Sequence, residues 1–341
     1  MPVSKDALKV AIAGANSLQG QDLKQQIEST GFPAGEVRLF DEEPAAGTLT
    51  DVGGEAALIQ LVDESSFRGA RFVFFAGSGE FASQHGPEAV RAGATVIDLT
   101  NGLAAHPGAK RWIPRLDAVL TPPPPAPGAG PAAGLCISPS TPAIVTCSLA
   151  AALRELKPVR MVMLFFQPVS EQGRKGVEEL EGQTVKLLSL QPMPQEVFDS
   201  QVAFNLLDRW GPESQGRLAT MRERFAAEVR DYLGSRATAP AMHLIQAPVF
   251  YGHAFAAYAE FSEPPRLNEF TGRLESVGFR SVGEADPGPS NVGVAGESKA
   301  MLSNAMQDPN VAQAVWFWGA ADNMRLATSN AVQIAEKMLV S

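Results

Sequence analysis

Residues 9–20 read Lys9-Val10-Ala11-Ile12-Ala13-Gly14-Ala15-Asn16-Ser17-Leu18-Gln19-Gly20. The first five are apolar and partly β-branched, which suits a buried strand. Gly14 ends that run, and Gln19–Ser29 reads as a helix. A strand, a glycine-bearing turn and a helix in succession let main-chain N–H groups face a phosphate at a helix N-terminus. Gly14, Asn16, Ser17, Leu18 and Gly20 are therefore candidate nucleotide contacts. The same turn serves equally as a tight connection that binds nothing. Asp41 closes the second strand (Glu36–Phe40), about twenty residues past Gly20, where an acid bonds a ribose 2′-hydroxyl and repels a 2′-phosphate. The run Asp41-Glu42-Glu43 favours NAD over NADP if a dinucleotide binds; otherwise it is a solvated loop.

Further strands are expected at Arg71–Ala76 and Thr95–Leu99 with helices between, so the N-terminal part reads as α/β with a parallel sheet. Residues 121–134, TPPPPAPGAGPAAG, cannot sit in a helix or a central strand. They read as a surface excursion near a domain boundary, or a plain long loop, and are the one feature that could dock a partner protein. Beyond them, a helix is expected from Ala143 to Leu156. Strands are expected at Met161–Val169, His243–Pro248, Ala254–Phe261 and Gln313–Ala320. Helices are expected at Leu218–Leu233, Leu267–Val277 and Thr328–Leu339. This order implies an α+β second domain, with residues 1–133 and 320–341 forming a Rossmann-like domain and 134–319 the second.

A chain of 341 residues exceeds one ordinary core, which supports two domains. The net charge of −9 and the lack of a basic cluster argue against nucleic acid. No apolar run approaches the roughly 18 residues a membrane span needs, and MPVSKDALKV lacks the apolar centre of a secretory signal. The two cysteines, Cys136 and Cys147, suit a reducing cytoplasm, and no Cys/His spacing suggests a metal site.

Several segments, in order along the chain, resemble the aspartate-semialdehyde dehydrogenase family. Val10–Gly20 is similar to its GATGxVG opening. Phe75–Ser83 (FAGSGEFAS) resembles its cofactor loop, which implies Gly77 as a further cofactor contact, and Ala92–Asn101 the strand after it. Gln167-Pro168-Val169-Ser170 with Gly173–Leu180 resembles its Q-x-V-S-G-A-G-x-x-G-x-x-E-L segment. Pro248–His253 resembles P-V-x-x-G-H, and Asn330–Glu336 its closing helix. The resemblance implies a Rossmann-like NAD(P)-binding domain, an α+β dehydrogenase and dimerisation domain, and a homodimer. The implied chemistry is NADP-dependent interconversion of aspartyl phosphate and the semialdehyde, with a cysteine nucleophile, a histidine acid/base and two anion-binding arginines.

Position by position, the chain departs from that pattern. The family cysteine falls on Thr141, in Ser138-Pro139-Ser140-Thr141-Pro142. A hydroxyl there is a poor nucleophile without strong activation, and Thr141 reads better as a helix N-cap with Pro142 at the first helical position. The substrate arginine falls on Gln246, which cannot form a bidentate ion pair. The phosphate arginine falls in Asn101–Ala105, which has none. The Glu-x-x-Lys pair falls on Met221 and Arg224. Before Asn330, the run Arg325–Ser329 lacks the family's glycine. Gln167 and His253 remain, His253 either as a general base or as a histidine kept by hydrogen bonding. Cys136 and Cys147 read as buried apolar residues.

Correlated loss in one cleft resembles the cysteine-less, Usg-type paralogues of the family. It implies a degenerate protein that keeps fold and dimer for an unidentified protein or small-molecule ligand. The alternative is an active NAD(P)-dependent aldehyde or semialdehyde oxidoreductase of altered substrate, with His253 as its acid/base.

Overall fold

A computed structural model describes residues 8–120, 134–283 and 285–340. The proline-rich run 121–133 lies outside the described residues. The chain divides into two compact units: residues 1–114, 122–139 and 327–341, and residues 115–121 with 140–326.

In the first unit β1 (Lys9–Ala13) leads to α1 (Leu18–Ser29) and β2 (Glu36–Phe40). A hairpin follows, β3 (Leu49–Val52) and β4 (Glu55–Gln60), then β5 (Phe72–Phe75), α2 (Gly79–Arg91), β6 (Thr95–Asp98), β7 (Lys110–Arg111) and β8 (Leu135–Ile137). They form an eight-stranded sheet in the order β3-β4-β2-β1-β5-β6-β8-β7, parallel except at the hairpin. Both faces are covered. Val10 and Ile12 of β1 join Leu23, Ile27 and Ile334 in one core, while Ala11 and Ala13 join Phe75, Phe81 and Ala89 in the other. Burial on both sides is why β1 reads as a continuous apolar run.

The second unit opens with α3 (Thr141–Leu153) and continues through β9 (Arg160–Gln167), α4 (Gly173–Leu188), α5 (Leu218–Leu233), β10 (Ala241–Gln246) and β11 (His253–Glu260). Then come α6 (Phe270–Ser276), β12 (Arg280–Val282), β13 (Met301–Ser303), β14 (Met306–Gln307) and β15 (Ala314–Ala321). Its sheet runs β10-β9-β11-β15-β13-β12, with β14 on β15, and mixes parallel and antiparallel pairs. Helix α3 is buried at every position and packs against α5 and α6. The other face of the sheet is open. Val162, Leu164 and Phe166 alternate outward along β9, Tyr258 meets Trp316 at 5.0 Å, and Trp316 and Trp318 remain 39% and 37% exposed. The last helix, α7 (Arg325–Val340), starts in this unit and from Ala327 onward packs into the first.

Three expectations change. The boundary expected at 320 falls within β15, whose ladder to β11 keeps it in the second unit, and the chain returns only at Ala327. The hairpin β3–β4 and helix α4 fall in stretches where no element is expected. Thr141 is not the N-cap of α3: Ser140 takes that place with extended backbone, and Thr141 starts the helix itself.

Candidate functional site

The turn after β1 is built by close backbone contact. Gly14 has φ +90, and a Cβ on it would overlap the Gly77 nitrogen; one on Gly20 would overlap the Gly14 oxygen. Only glycine fits either place. Ser17 caps α1: its Oγ accepts from the Gly20 N–H at 2.8 Å and donates to the Ala76 carbonyl at 2.6 Å. The Asp41 carboxylate sits at the same turn and accepts the Asn16 N–H at 2.7 Å and the Glu42 N–H at 2.9 Å. Asn16 is thereby engaged, whereas the N–H groups of Leu18 and Gln19, in the first turn of α1, have no acceptor among the described residues. Five of the sequence-derived positions, with Gly77 and Asp41, thus share one locus.

The loop after β6 holds a departure from expectation. Residues 101–105 contain no arginine, yet Arg111 of β7 donates from Nη2 to Asn101 Oδ1 at 2.7 Å. The cation missing from the run arrives through space. Asp98 fixes the loop by accepting the Thr100 N–H at 2.7 Å and the Leu103 N–H at 2.9 Å. Burial raises its pKa, against those hydrogen bonds.

The second unit collects Thr141, Gln167, Gln246 and His253, all buried. His253 opens β11 after Gly252, whose φ is +81. The His253 Nε2 lies 3.1 Å from Glu171 Oε1, and its Nδ1 is buried with no hydrogen-bond partner among the described residues. Asn323 joins the cluster: its Nδ2 donates to Glu171 Oε1 at 3.2 Å and Ser170 Oγ at 3.1 Å, and its Oδ1 accepts the Gly252 N–H at 2.8 Å. Burial pushes the Glu171 carboxyl upward, but the His253 and Asn323 contacts and the Arg224 charge outweigh it and leave the pKa below the usual value. The Thr141 hydroxyl donates to the Asn323 main-chain oxygen at 3.0 Å.

Gln246 and Gln167 act as a structural pair. Gln246 Nε2 donates to the Gln167 carbonyl at 3.0 Å, and its Oε1 accepts from Trp210 Nε1 at 3.3 Å. Met221, at the position of the family's acid, presents its sulfur to Gln167 Nε2 at 3.4 Å and Gln172 Nε2 at 3.2 Å. A further carboxylate stands at the head of α3, where Glu228 Oε2 accepts the Ser140 N–H at 2.8 Å. Burial and then the Glu228 charge raise the pKa of Cys147 on the same helix. Burial likewise lifts Cys136 to about 11. Both thiols are buried, and a raised pKa disfavours the thiolate form of each.

Sequence reasoning misses Glu171, Glu228, Asn323 and Trp210. Glu171 leaves a signal, since it stands where the resembled Q-x-V-S-G-A-G segment has glycine. The other three come from remote stretches with no motif.

Residues 9–126 match the family described as semialdehyde dehydrogenase, NAD binding domain, and residues 149–326 the semialdehyde dehydrogenase dimerisation domain. The chain is 31% identical to a USG-1 protein homolog of Pseudomonas aeruginosa, over 97% of this chain and 98% of that one. A solved probable aspartate-semialdehyde dehydrogenase from Pseudomonas aeruginosa superposes with a TM-score of 0.84 at 29% identity, covering 97% and 98% of the two chains. The aspartate semialdehyde dehydrogenase II of Vibrio cholerae, solved in complex with ASA, gives 0.81 at 25% identity over 98% of each chain. Motifs, fold and relatives agree across nearly the whole length, and the chain belongs to the aspartate-semialdehyde dehydrogenase family, resembling its Usg-type members.

Proposed function

We propose that this protein is a catalytically silent member of its family, which keeps the dinucleotide fold and the dimer scaffold but not the parent reaction. The observation that carries the reading is the hydrogen bonding of Thr141 and His253. The threonine hydroxyl gives its proton to the Asn323 carbonyl, and the histidine Nε2 is held by Glu171. A nucleophile must be hydrogen-bonded to its base, or have its pKa lowered, before it attacks. Here neither condition is met. The surrounding charge points the same way: Glu228 at the head of α3 and Glu171 beside His253 both disfavour an anionic oxygen or sulfur.

The first unit fits an adenine dinucleotide. The glycine contacts, the open N–H groups of Leu18 and Gln19, and Asp41 suit a pyrophosphate and a ribose diol. Bound nicotinamide would supply hydride chemistry. The Asp41–Glu43 acids favour NAD, since a 2′-phosphate would meet like charge. The open aromatic face of the second unit is the surface for a second copy of the chain. The two unpaired thiols support a reducing, cytoplasmic setting.

The test is a steady-state assay with semialdehyde, phosphate and either cofactor, beside calorimetry with NADH and NADPH. The expected result is no turnover, with NADH bound more tightly than NADPH. Turnover above about 1 per second, within the ordinary enzyme range, contradicts the silent reading. One observation favours the second reading, an oxidoreductase of altered substrate: Glu171 orients His253 and leaves Nδ1 unpaired, as an acid/base would need. Failure to bind NADH at millimolar concentration removes that reading.

A further inference from the structure

Between α4 and α5 the chain runs from residue 189 to 217 without a regular helix or strand. Within this stretch Phe204 has φ +60, a left-handed backbone that bulky residues rarely adopt, and the residue is 68% exposed. Its surroundings enforce the conformation. Gln183 of α4, fully buried, accepts the Val202 and Ala203 N–H groups at 2.7 and 3.0 Å. Its Nε2 donates to the Pro194 and Ser200 carbonyls, each at 2.9 Å. Past the tip, the Asn205 N–H donates to the Val202 carbonyl at 3.1 Å, and the Leu206 N–H to Asn205 Oδ1 at 3.0 Å. Strained backbone persists only where neighbours over-determine it, and such outliers gather where a protein clamps something. A buried glutamine thus holds an exposed phenylalanine out from the surface.

The direction of the tip follows from the next residue. Leu207 forms an antiparallel bridge with Gln246, N–H to carbonyl in both directions at 3.0 and 2.9 Å, which widens the sheet beyond β10. Residues opposite one another in a bridge share a face, and successive residues alternate. Gln246 is buried and aligned with Gln167 on the helix-covered face, while Ile245 is aligned with Phe166 on the open one. Leu207 therefore shares the covered face. Leu206, beside it and 58% exposed, falls on the open face at the end of β10. The tip is continuous with the surface that carries Phe166, Trp316 and Trp318.

We infer that Phe204-Asn205-Leu206 is a preset arm that packs its two apolar side chains onto a second copy of this chain. The inference rests on the reading of the open sheet face as the surface for a second copy, and adds to it a contact from outside the sheet. Continuity selects that occupant: a copy seated on the face is brought up to the edge where Leu206 stands. In a two-fold pair each copy gives one arm and receives one. Just past the arm, Asp208 and Arg209 lie 3.8 Å apart as an ion pair, so the neighbouring charges offset each other and the partner surface is apolar. An arm already held in shape loses little conformational freedom on association.

The test measures the dimer dissociation constant by sedimentation equilibrium for the unaltered full chain, Phe204→Gly, Leu206→Asp and Leu49→Asp, the last an exposed leucine of the first unit. Glycine adopts positive φ readily, so Phe204→Gly removes the ring and keeps the turn. The expected result is a constant raised at least about tenfold in Phe204→Gly and in Leu206→Asp, with no change in Leu49→Asp. Circular dichroism should be the same for all four. A benzophenone amino acid at position 204, in a mixture of isotope-labelled and unlabelled chains, should join one labelled chain to one unlabelled. Unchanged constants in both arm variants, cross-links confined to a single chain, or cross-links in cells to a different protein would each overturn the inference. If Trp318→Glu still splits the dimer in that case, the arm alone is lost. An unaltered chain that is monomeric at every concentration removes the second-copy reading together with the arm.

Discussion

At the scale of single residues, the proposed loss of the parent chemistry rests on hydrogen-bond partners as much as on the missing sulfur. Restoring the cysteine should not restore the enzyme. In Thr141→Cys, with Glu228 bonded one residue away at Ser140 and Glu171 holding His253, we expect the new thiol to titrate at or above the free-cysteine value of about 8.5, with no semialdehyde turnover. Thiolate absorbance against pH reads this directly, and a value below about 7 would count against the argument. The Glu171–His253 pair gives a second residue-level prediction. The folded pKa of Glu171 is depressed, so its stabilisation is fully present above the unfolded value and is lost as pH falls through the folded one. Glu171→Gln should cost roughly 1.5–3 kcal/mol near neutrality, the range for hydrogen bonds to a charged group, since the bonds to His253 and Asn323 lose their carboxylate acceptor. The deficit should shrink below about pH 4, where a free glutamate protonates, and vanish once pH passes the folded value. Urea midpoints measured between pH 3 and 7 check both the size and the sign.

At the scale of elements, the β1–α1 junction depends on backbones in contact. Gly14→Ala must separate Gly14 from Gly77 as well as hold an unfavourable φ. Gly31, at the end of α1, also has positive φ (+68), but a side-chain carbon added there would have nothing within 4 Å. Gly31→Ala should therefore cost only the conformational penalty, about 1–2 kcal/mol, and leave NADH affinity unchanged. Gly14→Ala should cost more and abolish NADH binding. Equal losses in denaturant melts of the two variants would show that the close approach does not matter. Elements are unevenly legible in the sequence. β1, β5 and β6 announce themselves because two-sided burial demands unbroken apolar runs. The hairpin β3–β4 escapes notice although Gly53-Gly54, both at positive φ, carries a two-residue turn signal. Its strands are largely exposed at a sheet edge, so no apolar pattern marks them. Helix α4 escapes because three glycines interrupt a polar stretch, and its buried side is made of Gly176, Glu179, Leu180 and Gln183 rather than an apolar stripe.

At the scale of the whole molecule, the outward face of the second sheet gathers Phe166, Tyr258, Trp316 and Trp318, the kind of apolar patch that marks an interaction site. The family's dimerisation domain covers these strands, and a second copy is the occupant the reading requires. Trp318→Glu should yield monomers at micromolar concentration by light scattering, while NADH binding in the first unit persists. A dimer that survives both this change and Trp316→Glu would place the interface elsewhere.

Sequence alone determined the two-part α/β and α+β architecture, the glycine turn with Asp41 beside it, and the absence of a cysteine at the head of α3. Those features are local: strand periodicity, turn chemistry and residue identity at one position need no long-range contact to be read. Tertiary structure alone decided what the surviving polar groups do. Asn323, Glu228 and Trp210 reach Thr141, the head of α3 and Gln246 from 182, 88 and 36 residues away. Arg111 enters a loop that its own segment does not contain. Pairing of buried charges depends on which chain segments meet in space, and spacing along the sequence carries no record of that.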